Sequence, residues 1–429
     1  MKRVPRGPMA PVPASLAWLF DVLVGTTSTV TWAAAGDLPA GFERAEQFAV
    51  LPAGPGHSFM LSVASRPGMS AALTSYNALR SGRRRLARRM LGSGMRVGLT
   101  QRLLKTKIDV GTAVGATSAQ LADALLSEHL RRLFGRLVVI AAGGGSGPYR
   151  KPVLQVFGTD GTPLGYVKVG WNDWTRDAVK REASALRSCA IRPMRLGVPQ
   201  LLDHSAWRGL ELLVTAPLPS RVHRVRIGSR LPDVRLLREI SELSPPYAAE
   251  LAASPWWCDL RTRISGVADP AARTGLEVSA DRIERSHGRA ALNFGSWHGD
   301  FVPWNLARLG ARLYAWDWES SAADAPIGFD ALHFHFQVAF VARRYPLERA
   351  VALAGRKARP ALDALGVAPG SHSLVAALHL VELFVRHEQA RSSSGGVDDR
   401  FYPAVARVLE ELPRTLVRRF ASAPVGEVS

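Results

Sequence analysis

Cysteine is scarce in this chain of 429 residues, which carries only Cys189 and Cys258. Neither has a partner at metal-ligand spacing, and one pair in so long a chain argues against a disulfide framework. Long apolar runs are also lacking, since the best candidate, 14–36, is interrupted by Asp21 and Gly25. A spanning helix needs about 20 predominantly apolar residues. The sequence therefore predicts no membrane span and a reducing, cytoplasmic location.

Acidic residues are few relative to basic ones, with 36 Asp+Glu against 55 Lys+Arg and a net charge of +19. The segment Arg80–Lys107 contains ten basic residues and no acidic one. Such a block can bind nucleic acid or another anionic surface, yet it contains no aromatic residue for base stacking. We interpret it as a solvated face and keep nucleic-acid or anionic-surface binding as the alternative.

The chain is too long for one core, and its patterns divide it into three regions. Region 1–135 combines strand-like and helical segments; a Thr cap predicts a helix over Thr117–Phe134, and a basic helix is predicted over Arg83–Leu91, broken by Gly92 and Gly94. Region 136–218 is rich in strands, and 219–429 is mainly helical. This order predicts an α+β protein in which a small β-rich unit, a hinge and a larger helical unit follow one another.

Strand signals are clearest in the middle region. Leu137–Ala142 is an apolar run, and Val153–Phe157 and Leu164–Val169 flank the turn residues Asp160-Gly161. An Asp-Gly pair between apolar runs is a strong hairpin signal. A helix over Arg176–Cys189 follows, and Leu210–Thr215 forms another apolar strand. The sequence therefore predicts a hairpin, a helix and a further strand in this order.

Oxygen-bearing side chains cluster in the helical region. Asp300 and Asn305 lie five residues apart on one loop, and Asp317 directly follows the strand-like segment Leu313–Trp316. A strand hairpin would return Asp317 to the side of Asn305. Phosphoryl transfer needs a carboxylate that orients the attacking hydroxyl and oxygen ligands that hold Mg²⁺ against the phosphates. The spacing is suited to such a site.

The pattern His-Gly-Asp-x-x-x-x-Asn followed by Asp-Trp-Glu resembles the aminoglycoside phosphotransferase and choline kinase-like family. The resemblance covers about residues 136–390 and implies a two-lobed, protein-kinase-like fold with an extra N-terminal α/β region. It implies that Asp300 is the catalytic base and that Asn305 and Asp317 bind Mg²⁺. It further implies supporting roles for three residues of the same region, namely His298, Glu319 and Asp330.

The strand before the helix offers a test of this resemblance. Lys168 lies in an alternating strand, and Glu182 falls on the apolar face of the helix over Arg176–Cys189. A buried carboxylate must be paired, because leaving it alone costs several kcal/mol. Lys168 is the obvious partner. In the family such a pair places the lysine on the α- and β-phosphates of ATP.

Two weaker signals concern the nucleotide. A glycine-rich run lies before Lys168, where backbone N–H groups could approach phosphate closely, although such a run is more often a flexible turn. Order along the chain places the adenine-binding hinge at Val214–Leu218, which includes Thr215. The predicted nucleotide-contacting run consists of Gly143, Gly144, Gly145, Ser146 and Gly147.

His333 and His335 flank Phe334 near a helix start. Two residues apart on a helix, they point to different faces, which disfavours a metal pair. They receive no role from the sequence.

The sequence as a whole predicts an ATP- and Mg²⁺-dependent enzyme that transfers the γ-phosphoryl group to a hydroxyl of a small molecule such as a sugar, an amino alcohol or a biosynthetic intermediate. One alternative is a kinase-fold enzyme of different chemistry, such as AMP transfer. Another is a nucleotide-binding scaffold without catalysis. The lysine–glutamate pair and the three oxygen-bearing side chains are predicted to enclose one Mg·ATP.

Overall fold

The computed structural model describes residues 12–54, 57–74, 82–98, 104, 106–144 and 151–394. The chain forms two compact units. Unit 1 consists of 1–183 and 199–222, and unit 2 consists of 184–198 and 223–429. Unit 1 is built around a large antiparallel sheet, whereas unit 2 is mainly helical, so the predicted α+β class is confirmed. The predicted boundary near residue 135 stays a prediction.

The helices in the described part of the chain are α1 (Ala14–Leu23), α2 (Arg66–Thr74), α3 (Gly82–Arg96), α4 (Ser118–Ala124), α5 (Leu126–Phe134), α6 (Asp173–Ile191), α7 (Val234–Ser241), α8 (Pro255–Ser265), α9 (Pro270–His287), α10 (Phe329–Gln337), α11 (Leu347–Ala364) and α12 (His372–Ser394).

The strands are β1 (Val30–Ala34), β2 (Phe42–Gly54), β3 (His57–Ser62), β4 (Lys107–Ala113), β5 (Val138–Gly144), β6 (Val153–Gly158), β7 (Pro163–Gly170), β8 (Leu201–Trp207), β9 (Leu210–Thr215), β10 (His223–Arg224), β11 (Tyr247–Glu250), β12 (Ala291–Trp297), β13 (Leu306–Leu309), β14 (Arg312–Ala315) and β15 (Ala322–Pro326).

In the part of unit 1 that the structure describes, the sheet has nine strands in the order β1-β4-β2-β3-β5-β6-β7-β9-β8. The predicted hairpin is confirmed, because β6 pairs antiparallel with β7 around the turn at Asp160 and Gly161. Strands of the N-terminal region continue the same sheet, since β3 pairs with β5. The sheet is therefore larger than the strands of the middle region alone would make it.

Both faces of the sheet are buried at β5. Val139 and Ala141 belong to one hydrophobic cluster, whereas Ile140 and Ala142 belong to the other. Successive side chains of a strand point to opposite faces, so a continuous apolar run suits a strand that is covered on both sides. This explains why Leu137–Ala142 lacks polar alternation.

The apolar stretch near the N-terminus folds as α1 followed by β1. Leu16, Leu19 and Phe20 of α1 are buried in one of the two clusters against the sheet. Among the helices in the described ranges, none combines the length and the apolar character needed to cross a bilayer.

Two predicted helices differ from the structure. The segment 117–134 forms α4 and α5, because Leu125 between them is extended with φ −107° and ψ 124°. The predicted Thr cap is present: Thr117 and Gln120 form a reciprocal capping box. The basic helix α3 runs through both glycines instead of ending before them. A Cβ on Gly92 would lie 2.7 Å from Cγ2 of Thr74, so this glycine allows α2 and α3 to pack closely.

Unit 2 carries two three-stranded sheets, β10-β13-β14 and β11-β12-β15, among helices α7–α12. The strand-like segment Leu313–Trp316 corresponds to β14, which forms an antiparallel hairpin with β13. The sequence did not single out β12, which buries Leu292, Phe294 and Trp297. This strand leads directly into the loop that carries the candidate catalytic residues.

Candidate active site

The loop 298–305 lies between β12 and β13 and is tied to the start of α10 by Asp330. One carboxylate oxygen of Asp330 accepts the backbone N–H of His298 at 2.8 Å, and the other accepts that of Gly299 at 3.1 Å. Burial raises the pKa of Asp330, and the contacts with His298 and Gly299 oppose that rise. The bracing contact that the family resemblance implies for Asp330 is therefore present.

Gly299 lets this loop pack against the next one. Its φ is +79°, and an added Cβ would lie 2.0 Å from the carbonyl oxygen of Ser320. No side chain can occupy that position without moving the backbone. The His-Gly-Asp motif therefore requires glycine for a steric as well as a conformational reason.

His298 contributes to the shape of the loop. Its Nδ1 accepts the backbone N–H of Asp300 at 3.2 Å, and its ring lies 4.4 Å from the ring of Trp318. The side chain is fully buried. These contacts agree with the supporting, hydrogen-bonding role that the sequence predicts, and that role stays a proposal.

The Asp300 carboxylate is held at both oxygens. Oδ2 accepts a hydrogen bond from Nδ2 of Asn305 at 2.8 Å, and Oδ1 lies 3.2 Å from Nε2 of His333. The Asp300 side chain is 32% exposed, so the carboxylate remains accessible while its orientation is fixed. An oriented, accessible carboxylate is what a general base requires.

The contact between Asp300 and Asn305 also orients the Asn305 amide. A carboxylate only accepts hydrogen bonds, so the amide nitrogen faces Asp300 and the carbonyl oxygen turns away from it. The β13–β14 hairpin then brings the next polar residues alongside, because Trp316 N–H donates to the backbone oxygen of Asn305 at 3.2 Å. The hairpin therefore brings the chain back to Asn305 at residue 316, one residue before Asp317, and a shared metal site of Asn305 and Asp317 stays a prediction.

Asp317 and Glu319 add carboxylates at this end of the hairpin. Asp317 has φ 72° and ψ 56°, a left-handed conformation that is uncommon for residues other than glycine. One oxygen of the Asp317 carboxylate lies within 4.8 Å of one oxygen of the Glu319 carboxylate. Carboxylate oxygens are ligands that Mg²⁺ prefers, so this pair fits the predicted metal. Asn305 as a further ligand stays a prediction.

A buried ion cluster, which sequence reasoning missed, supports the 318–320 turn. Glu382 on α12 is 1% exposed and accepts hydrogen bonds from Arg263 at 2.7 and 3.1 Å and from Nε of Arg386 at 2.7 Å. Arg386 also donates to the backbone oxygen of Ser320 at 2.8 Å and lies over the ring of Trp297 at 4.2 Å. The cluster thereby links α12 to the residue after Glu319.

His333 is a further residue that sequence reasoning missed. The sequence considered it only as part of a metal pair with His335, whereas the structure places it beside Asp300. Its nitrogen Nδ1 lies 3.4 Å from Nε2 of His379 on α12. A signal did exist: His333 follows Asp330 by three residues on one helix, which puts both on the same face.

In unit 1, Lys168 and Glu182 form the predicted ion pair. Lys168 Nζ lies 2.5 Å from a carboxylate oxygen of Glu182, and the side chains are 16% and 2% exposed. Lys168 lies in β7, between Val153 of β6 and Leu213 of β9. Burial of the glutamate on the apolar face of α6 therefore leads to the pairing that the sequence required.

The glycine run is described only in part. Gly143 and Gly144 continue β5, where they pair with Phe59 and Ser58 of β3. A Cβ on Gly143 would meet nothing within 4 Å, so packing does not require glycine there. These two glycines therefore belong to a strand, whereas the sequence placed them in a loop between strands. The remaining predicted members, Gly145, Ser146 and Gly147, lie outside the described residues.

Thr215 ends β9, where it pairs with Tyr166 of β7 and Leu201 of β8. The next backbone N–H, that of Ala216, donates to the carbonyl oxygen of Gln200 at 2.8 Å. Pro217 has no N–H group. The adenine contact predicted for this segment stays a prediction, and Ala216 N–H is already used within unit 1.

The basic segment Arg80–Lys107 is also described only in part. Within it, α3 exposes Leu86 and Met90 at 63% and 69%. Its binding to nucleic acid or another anionic surface stays a prediction.

The predicted site combines residues of both units. Lys168 and Glu182 belong to unit 1, and Asp300, Asn305 and Asp317 belong to unit 2. Their predicted assembly around one nucleotide stays a prediction.

Comparison with known proteins gives matches at the level of solved structures. No protein-family model and no curated protein matches the chain. A choline kinase from Streptococcus pneumoniae matches with 14% identity and a TM-score of 0.40, over 61% of this chain and 89% of that one. A thermostable mutant of an aminoglycoside phosphotransferase matches with 11% identity and a TM-score of 0.42, over 70% and 100%.

A glucosamine kinase, solved with glucosamine, ADP and inorganic phosphate, matches with 17% identity and a TM-score of 0.39, over 72% of this chain and 90% of that one. These small-molecule kinases agree with the resemblance that the sequence analysis drew from the His-Gly-Asp and Asp-Trp-Glu motifs. Identities and TM-scores this low do not assign roles to individual residues, so any such role must rest on the contacts within this chain. The chain is thus similar to aminoglycoside phosphotransferases and choline kinases.

Proposed function

We propose that this chain is an ATP- and Mg²⁺-dependent O-phosphotransferase that acts on a hydroxyl group of a small molecule. The observation that supports this most strongly is the Asp300 carboxylate, partly exposed and held at each oxygen by Asn305 and His333. A hydroxyl at Asp300 would be oriented for attack and would give its proton to the carboxylate.

Asn305 and Asp317 would hold Mg²⁺, with Glu319 as a further oxygen contact to metal or substrate. The bound ion would neutralise charge on the phosphate oxygens. The orientation of the Asn305 amide supports this assignment, because its nitrogen is used by Asp300 and its oxygen is directed elsewhere. In unit 1, Lys168 would contact the α- and β-phosphates, and Glu182 would hold the ammonium group in place.

The first test is nucleotide binding. We expect Mg·ATP to raise the melting temperature of the wild type, and ATP with EDTA to raise it much less. Asp317→Ala should lose the Mg²⁺-dependent part, whereas Asp281→Ala, an exposed carboxylate paired with Arg261, should retain it. Absence of Mg²⁺-dependent stabilisation in the wild type would count against the proposal.

The second test is turnover. A screen of hydroxyl-bearing metabolites with ADP release as the readout would identify the acceptor. We expect Asp300→Asn to bind Mg·ATP nearly as well as the wild type and to lose turnover, by about 10²-fold or more. Near-normal turnover would remove Asp300 from the role of base. Release of pyrophosphate instead of ADP would indicate AMP transfer.

A further inference from the structure

Behind Asp300 lies a pair of buried imidazole rings that the proposed chemistry does not include. His333 on α10 and His379 on α12 are each 3% exposed. Nε2 of His333 lies 3.2 Å from Oδ1 of Asp300, and Nδ1 of His333 lies 3.4 Å from Nε2 of His379. The three side chains therefore form a continuous chain of contacts from the interior of unit 2 to the accessible carboxylate.

The chemistry of these groups restricts where the protons lie. An ionised carboxylate only accepts hydrogen bonds, so Nε2 of His333 must carry a proton toward Asp300. A neutral imidazole has one donor and one acceptor nitrogen, so Nδ1 of a neutral His333 must accept. The hydrogen on Nε2 of His379 then supplies the donor that Nδ1 requires. Each ring is therefore assigned to the tautomer with hydrogen on Nε2.

The surroundings of His379 favour its neutral form. Its ring lies 5.3 Å from the ring of Phe329 and 6.2 Å from that of Phe336. Burial, together with His333 and Arg386, holds the pKa of His379 well below 6.5. A neutral His379 that donates from Nε2 requires an acceptor at Nδ1 of His333. It therefore selects the Nε2–H tautomer of a neutral His333.

We propose that His379 and His333 are positioning residues that fix the orientation of Asp300: His379 holds His333 in the Nε2–H tautomer, and His333 in turn holds Oδ1 of the carboxylate. Asn305 holds Oδ2, so the carboxylate cannot rotate away from a bound hydroxyl. No proton passes along the pair. The inference rests on the proposed role of Asp300, and it assigns to two residues of α10 and α12 a function that the motifs do not indicate.

The first test needs no substrate. We would label the histidines with ¹⁵N and record the tautomers at pH 8, above the ordinary histidine pKa of about 6.5. Both rings should carry hydrogen on Nε2. In His379→Leu, which removes the donor, His333 should become a mixture of tautomers. In His379→Gln, whose amide can still donate, it should keep the Nε2–H form.

The second test uses Mg·ATP hydrolysis, with water as a surrogate acceptor. His379→Leu should lower kcat by about tenfold and change the KM for ATP by less than about twofold, because loss of orientation affects the reacting groups rather than nucleotide binding. His379→Gln should recover most of the loss. His372→Leu, on the same helix and bonded to the backbone of Val367, is the control and should match the wild type.

The outcomes separate this inference from the proposed function. A wild-type His333 with hydrogen on Nδ1, or a doubly protonated His333 at pH 8, would overturn the positioning role. Equal losses of kcat in His379→Leu and His379→Gln would also overturn it, because a packing defect gives no rescue. A wild type that turns over no nucleotide would contradict the proposed function, and the ¹⁵N spectra would then decide the positioning role alone.

Discussion

Replacement of Glu382 by glutamine tests the buried ion cluster that supports the 318–320 turn. The glutamine has the same size but lacks the charge that neutralises Arg263 and Arg386. Breaking a buried ion pair from one side costs about 3–5 kcal/mol, because the remaining charge stays buried without compensation. Arg263 and Arg386 retain 23% and 26% exposure, so we expect the lower half of that range, about 3 kcal/mol.

The measurement is the free energy of unfolding in urea, followed by tryptophan fluorescence, since Trp297 lies directly under Arg386. The matched control is Asp259→Asn, which removes a carboxylate 2.7 Å from the same Arg263 but 65% exposed. An exposed pair contributes about 0–1 kcal/mol, so this variant should be nearly as stable as the wild type. Comparable losses in the two variants, or a loss below about 1 kcal/mol in Glu382→Gln, would refute the reasoning.

The stability difference should also depend on pH in a defined direction. Burial alone would raise the pKa of Glu382, but Arg386 and Arg263 outweigh it and hold the pKa below 4.5. A carboxyl with a lowered pKa in the folded state contributes stability above its unfolded pKa and loses it as pH falls through the folded pKa. The difference between wild type and Glu382→Gln should be constant from pH 6 to 8 and should shrink below pH 4.5.

Three further variants test individual contacts. Glu182→Gln removes the carboxylate that pairs with Lys168, and we expect a loss of about 3 kcal/mol in urea unfolding; an unchanged midpoint would contradict the pairing. Asp330→Asn replaces one of the two oxygens that accept the backbone N–H groups of His298 and Gly299. The free energy of unfolding should fall by about 1–3 kcal/mol, and ADP release should decrease. Full activity would show that the loop does not need this brace. Gly299→Ala should destabilise far more than Gly310→Ala. Both glycines have positive φ, which costs alanine about 1–2 kcal/mol, but only at Gly299 would the new Cβ clash, 2.0 Å from the backbone oxygen of Ser320. Equal melting temperatures of the two variants would refute the steric argument.

Predictions from the sequence succeeded where contacts are local. The Lys168–Glu182 pair spans 14 residues, and the loop that was predicted to carry both Asp300 and Asn305 spans five. Strand alternation, helical periodicity and the need to pair a buried charge are sufficient to infer the first. The predicted hairpin that brings the chain back toward Asn305 is similarly local, because a short turn fixes the register of its two strands.

Errors in the sequence prediction arose where packing overrode local signals. Gly92 was expected to end a helix, yet α3 continues through it because the glycine faces Thr74 of a neighbouring helix. Gly143 and Gly144 were expected to lie in a loop between strands, yet they extend β5 along β3. In both cases a neighbouring element supplied contacts that glycine propensity alone does not include.

The sequence by itself determined the class of fold, the loop that carries Asp300, the hairpin beside it and the lysine–glutamate pair, since each follows from patterns within about 20 residues. Only the tertiary structure decided what surrounds Asp300 and the 318–320 turn. His333 is 33 residues from Asp300, His379 is 46 from His333, and Glu382 is 119 from Arg263. Such contacts depend on how α8, α10 and α12 pack, and no local spacing encodes them.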